Sequence, residues 1–196
     1  MDVQSLAVSL DADPVRAIRA DPELWASASE QPPFCAAWGD EPLPDISQAL
    51  LTAVPAGAGW VRHFEDRSFQ QAEYLLDPMA YRAARTWEER ERTVAYRIIA
   101  GDQAFAEHAT SGQGFAWRCS TTAFLATAVE RIDALDVAAV RAEFSVVEMD
   151  RLGLYKVDRE EDDEHAFARV LTQLRAFAEH CRAVVTRDLD LIITLY

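Results

Sequence analysis

The sequence predicts a single helix-rich α+β domain, with a small sheet that contains strands from both ends of the chain. Three observations predict it. Apolar residues alternate in the opening stretch from Val3 to Leu10, with Leu6, Val8 and Leu10 on one face. Helical periodicity dominates from Ser68 onward, and Leu189-Asp190-Leu191-Ile192-Ile193-Thr194-Leu195-Tyr196 is the clearest strand pattern in the chain. Strands at both ends with helices between them give an α+β arrangement around one sheet.

The first helix is expected to be capped by Asp13, with Pro14 in its first turn, where a missing N–H costs nothing. Residues 31–67 read as a loop-rich elaboration. Pro32, Pro33, Pro42, Pro44 and Pro55 punctuate it, Gly57 and Gly59 loosen it, and a brief helix from Ile46 to about Ala53 interrupts it. Ser68-Phe69-Gln70-Gln71 has capping-box spacing ahead of Ala72 and Leu76, and Asp77-Pro78 ends that helix and starts a short one. Thr86-Trp87-Glu88-Glu89 is a second capping box, opening one helix that runs through Val94, Tyr96 and Ile98 to Gly101, a natural C′ residue. Ser120 or Thr121 caps a helix with Leu125, Val129 and Ile132 on one face, and Asp136 caps the next, with Val137, Val140 and Phe144 inward. The longest helix spans about Glu160 to Val185, with an apolar stripe from Phe167 through Leu174 and Cys181 to Val185. No linker composition and no internal repeat divides the 196 residues, so the whole chain reads as one domain.

Nineteen basic residues against 33 acidic ones give a net charge of −14. Such a chain is repelled by nucleic acid and by anionic membrane surfaces and attracted to a basic partner. No apolar run approaches a membrane span, and the opening lacks a basic flank and meets Asp11 and Asp13 early, which predicts a cytoplasmic protein without a signal peptide. Cys35, Cys119 and Cys181 are far apart, with no C-x-x-C pair, and read as buried free thiols.

Catalytic and cofactor motifs are missing. There is no G-x-S-x-G elbow, no Walker sequence and no dinucleotide fingerprint, since Gly112-Gln113-Gly114 lacks a third glycine and a preceding strand. His63, His108, His165 and His180 are scattered, with no H-x-x-x-H spacing, so neither a metal nor a cofactor is expected. Adjacent helical positions such as His180 and Cys181 point about 100° apart and do not form a dyad.

Two segments stand out as candidate interfaces. In Asp158-Arg159-Glu160-Glu161-Asp162-Asp163-Glu164 six of seven residues are acidic. Acids at a helix start complement its dipole, but two or three suffice. The surplus makes Glu160, Glu161, Asp162, Asp163 and Glu164 candidates for contact with a basic partner. Trp38 and Trp60, within the elaboration, either cover the core or anchor an interface.

Several segments in order resemble the YfbM-like family of uncharacterised bacterial proteins. Arg118-Cys119-Ser120-Thr121-Thr122 leads into Ala128-Val129-Glu130-Arg131-Ile132-Asp133-Ala134-Leu135-Asp136. Then come Val140-Arg141-Ala142-Glu143-Phe144-Ser145, Met149-Asp150 and Leu154-Tyr155, a long helix and an apolar strand. Upstream, Ala72-Glu73-Tyr74-Leu75-Leu76 and Tyr96-Arg97-Ile98-Ile99-Ala100-Gly101 also fit, as do the opening strand and first helix. Asp77-Pro78 stands where the family has a small residue, and residues 31–67 have no counterpart. The resemblance implies an α+β fold and no established activity. The expectation is therefore a cytoplasmic protein-binding module, such as an immunity-type inhibitor that neutralises a toxin or enzyme with a basic surface. The alternative is a small enzyme or ligand-binding domain.

Overall fold

The computed structural model describes residues 2–35, 42–56, 58–111 and 114–196. Among the described residues five strands form one antiparallel sheet: β1 (Val3–Val8), β2 (Val61–His63), β3 (Gln103–Ala104), β4 (Arg118–Ser120) and β5 (Asp190–Leu195), in the order β2-β1-β5-β4-β3. The two predicted terminal strands are the long central pair, in register from Val3 opposite Leu195 to Val8 opposite Asp190.

The alternation of these strands separates two layers of helices. Val3 and Ala7 of β1 with Leu191, Ile193 and Leu195 of β5 face the larger core. There they meet α4 (Phe69–Leu76), α7 (Val94–Ala100), α8 (Thr122–Asp133) and α11 (Asp163–Thr186). Val8, Ile192 and Cys119 face the opposite way, onto α1 (Asp13–Ala20), α2 (Pro22–Ser29) and α3 (Asp45–Ala53). Four shorter helices complete the chain: α5 (Pro78–Ala83), α6 (Trp87–Glu91), α9 (Val137–Glu143) and α10 (Val146–Arg151). Gly101 closes α7 at φ 107°, where a Cβ would lie 2.7 Å from the Cβ of Arg118, so only glycine lets the helix end this close to β4.

Helix α4 is buried on every side, polar residues included. Each buried polar side chain has found a partner, as the cost of an unpaired one requires. Gln70 Oε1 accepts from the Tyr155 N–H at 2.7 Å, and Gln71 Oε1 accepts from Arg169 at 3.1 Å. Glu73, fully buried, receives Arg90 Nε and Nη2 at 2.8 and 2.9 Å. The guanidinium of Arg90 lies 4.7 Å from the Trp87 ring, 5.0 Å from Tyr81 and 5.9 Å from Tyr96. Aromatic faces supply negative potential where water is excluded, so the rings reinforce the carboxylate.

Several local expectations are corrected. Thr86 and Glu89 form the full capping box, but that helix ends at Glu91 and Thr93 caps a separate α7. Ser68 makes no capping bond: its hydroxyl donates to Asp66 Oδ1 at 2.5 Å instead. Asp13 lies inside α1, after an Ala12 N-cap without a side-chain bond. Val137 is exposed rather than inward, while Phe144 is buried as expected.

Candidate functional site

The second core is built around rings. Trp25 of α2, Phe34, Phe105 and Trp117 pack with centroids 4.9–5.7 Å apart, mostly in tilted or edge-on pairs. Trp60, two residues after the Ala58 turn and one before β2, stands edge-on to Trp117 at 5.4 Å, and its Nε1 donates to Pro33 O at 2.8 Å. Trp117 is positioned by its backbone. Its N–H donates to Ala109 O and its carbonyl accepts from Phe105 N–H, both at 2.8 Å. Only 8% of Trp117 is exposed, yet its buried indole N–H has no acceptor among the described residues.

Between these rings and the sheet lies a cleft of about 530 Å³, the size of a small-molecule site. Trp117, Trp60 and Phe34 form an aromatic wall. Gln4 and Thr194, cross-strand neighbours on β1 and β5, supply polar atoms from the sheet. Ser29, Glu30, Cys35, Thr110, Ser111 and Tyr196 complete the lining. Cys35 is exposed, correcting the expectation that all three thiols are buried; Cys119 and Cys181 are buried, and burial pushes their thiols up to about 11 and about 12. A cleft with an apolar wall and a polar floor is equipped to hold a ligand.

Of the candidate residues, Trp60 belongs to this cleft, and Trp38 lies outside the described residues. The acidic run sits elsewhere, at the start of α11, with most of its side chains engaged within the chain. Asp162 caps α11 through the N–H groups of Glu164 and His165, and Asp163 accepts from the Val146 N–H at 2.7 Å, at the start of α10. Glu161 pairs with Arg169 and Glu164 with Arg141, each at 2.8 Å. Glu160 is exposed and has no side-chain partner among the described residues.

The fold also brings together a group that the sequence leaves apart. Ser5 Oγ lies 2.8 Å from His63 Nε2 and 3.2 Å from His180 Nε2, joining β1, β2 and α11. One hydroxyl can donate to one ring and accept from the other, the roles following the tautomers of the two imidazoles. Ser5 has no exposed surface, which withholds it from any substrate and makes the trio a structural tie. Burial, with His180 nearby, lowers the His63 pKa to about 3; burial also lowers that of His180. The unfolded chain therefore binds more protons than the native one between pH 6.5 and about 3, and stability falls as pH falls through that window. The slope is expected to reach about 1.4 kcal/mol per pH unit for His63, and less for the half-buried His180. Urea unfolding at pH 7.5, 6.5 and 5.5 measures it, and His63→Gln is expected to flatten it. An unchanged slope in that variant would place the acid sensitivity elsewhere.

No family model matches the chain, and no curated protein is significantly similar to it. Among solved structures it is similar to the protein of unknown function YfbM from Escherichia coli, with 10% sequence identity over 98% of each chain and a TM-score of 0.60. At that identity the likeness is one of fold, along the whole length of both chains.

Proposed function

We propose, from the premise of a YfbM-like fold without an assigned activity, that this chain is a cytoplasmic binding protein that seats a ligand in the aromatic cleft. The observation that carries this reading is the cleft itself, where Trp117, Trp60 and Phe34 face the polar side chains of Gln4 and Thr194. Binding is favoured over catalysis because, among the described residues of the lining, Cys35 is the one thiol and no histidine accompanies it. The test is a ¹H–¹⁵N titration with indole, phenol and benzyl alcohol, following the tryptophan side-chain signals. Binding is expected to move the Trp60 and Trp117 signals, and Trp60→Ala is expected to weaken it by about tenfold, as for loss of an aromatic anchor. If none of the three probes moves either signal, the cleft is not a ligand seat.

A second reading, inhibition of a basic protein partner, draws support from the net charge of −14 and from the exposed Glu160. Charge of this size accelerates association with a positive surface and makes it sensitive to salt. Because Asp162 and Asp163 hold helix starts and Glu161 holds Arg169, neutralising them also tests the fold. Glu160→Gln changes the surface alone, and is the cleaner probe of a charged interface.

A further inference from the structure

We propose that the aromatic cleft selects an organic ammonium cation, a small molecule with a methylated or otherwise bulky positive head. The proposal rests on the cleft being a ligand seat and adds the charge of its occupant. Trp60 and Phe34 each stand nearly perpendicular to Trp117, at 87° and 83°. Three aromatic side chains in one lining supply π-surface, and a cation within about 6 Å of a ring face is attracted by its negative potential.

The charges around the rings agree. Glu30 is the one charged residue of the lining and has no ion-pair partner among the described residues. Asp2 continues the same edge of the sheet: it exchanges backbone hydrogen bonds with Tyr196 at 2.7 and 3.0 Å, and strand alternation puts its side chain on the face of Gln4. Its Oδ1 is buried without a hydrogen-bond partner among the described residues, though Asp2 itself lies outside the lining. Against these stands Arg62, paired with Gln4 in register on β2 but outside the lining. Among the described residues of the lining Glu30 is the single charge, which leaves the site net negative within a protein of net charge −14 that draws cations toward it.

The experiment compares choline with 3,3-dimethylbutan-1-ol, which has the same shape and hydroxyl but no charge, by calorimetry and by the tryptophan side-chain signals. Choline is expected to bind about 3- to 30-fold more tightly than the alcohol and to move the Trp60 and Trp117 signals. Glu30→Gln is expected to erase most of that preference while leaving the alcohol's affinity unchanged. Because Trp117 is a core residue, Trp60→Leu serves as the ring variant, and is expected to weaken choline more than the alcohol. If the alcohol binds in the cleft as tightly as choline, the charge inference is overturned and the ligand seat stands. If choline binds without moving the Trp60 or Trp117 signals, or more weakly than about 10 mM, the inference is overturned too. If the neutral aromatic probes also fail to bind, the ligand seat falls with it.

Discussion

Glu73→Ala is expected to lower the unfolding free energy by about 3–5 kcal/mol, the cost of stranding one partner of a buried ion pair. Arg90 is the partner left behind. It is enclosed by Tyr81, Trp87 and Tyr96, and cannot turn outward without breaking the packing of α5, α6 and α7 against α4. Total stability for a domain of this kind is about 5–15 kcal/mol, so the variant is expected to be marginal at 37 °C. Urea midpoints measure the loss, provided the slope is unchanged. Glu73→Leu combined with Arg90→Met separates charge from shape: an apolar pair removes both desolvation costs and is expected to be more stable than Glu73→Ala. If the single variant loses less than about 1 kcal/mol, Arg90 has reached water or another acid, and the pair contributes little.

Truncation after Asp188 is expected to be more damaging still. It removes β5, which lies between β1 and β4 in the sheet and supplies Leu191, Ile192, Ile193 and Leu195 to the two cores. The deletion separates the sheet into two remnants and uncovers apolar surface on both faces. Insolubility, or loss of near-ultraviolet circular dichroism with helical signal retained, is the expected result. A truncate that unfolds cooperatively would show that the helices around α4 and α11 form a self-sufficient core.

The fold was legible where local pattern and tertiary role agree. Helix α11 announces itself by its apolar stripe, and β1 and β5 by alternation and β-branched residues. The short strands β2 and β4, three residues each, are too brief to show a period and exist because long neighbours offer them a ladder. Helix α2 was missed although Asp21 caps it and Pro22 opens it, because α1 ends only one residue earlier and the pair reads as one short helix with a loop after it. The cleft was half visible. Trp60 was singled out, but Trp25, Phe34 and Trp117 come from distant segments, and their meeting depends on which sheet face each packs against. Likewise no spacing rule links Ser5, His63 and His180. The acidic run was conspicuous for its composition, whereas its caps and ion pairs depend on partners at Arg141, Val146 and Arg169 that composition does not disclose.

The pairing of β1 with β5 also governs the order of events during synthesis. β1 is made well before the strand that completes its second edge, which lies at residues 190–195. At about 5–20 residues per second, β1 waits roughly 10–40 s on the ribosome for that strand. Its other neighbour, β2, covers only Val3 to Ser5. During that interval Leu6, Ala7 and Val8 present an unpaired apolar edge, which is the kind of surface that chaperones bind and that pairs wrongly between nascent chains. The sheet therefore closes around helices already made, when β5 enters between β1 and β4.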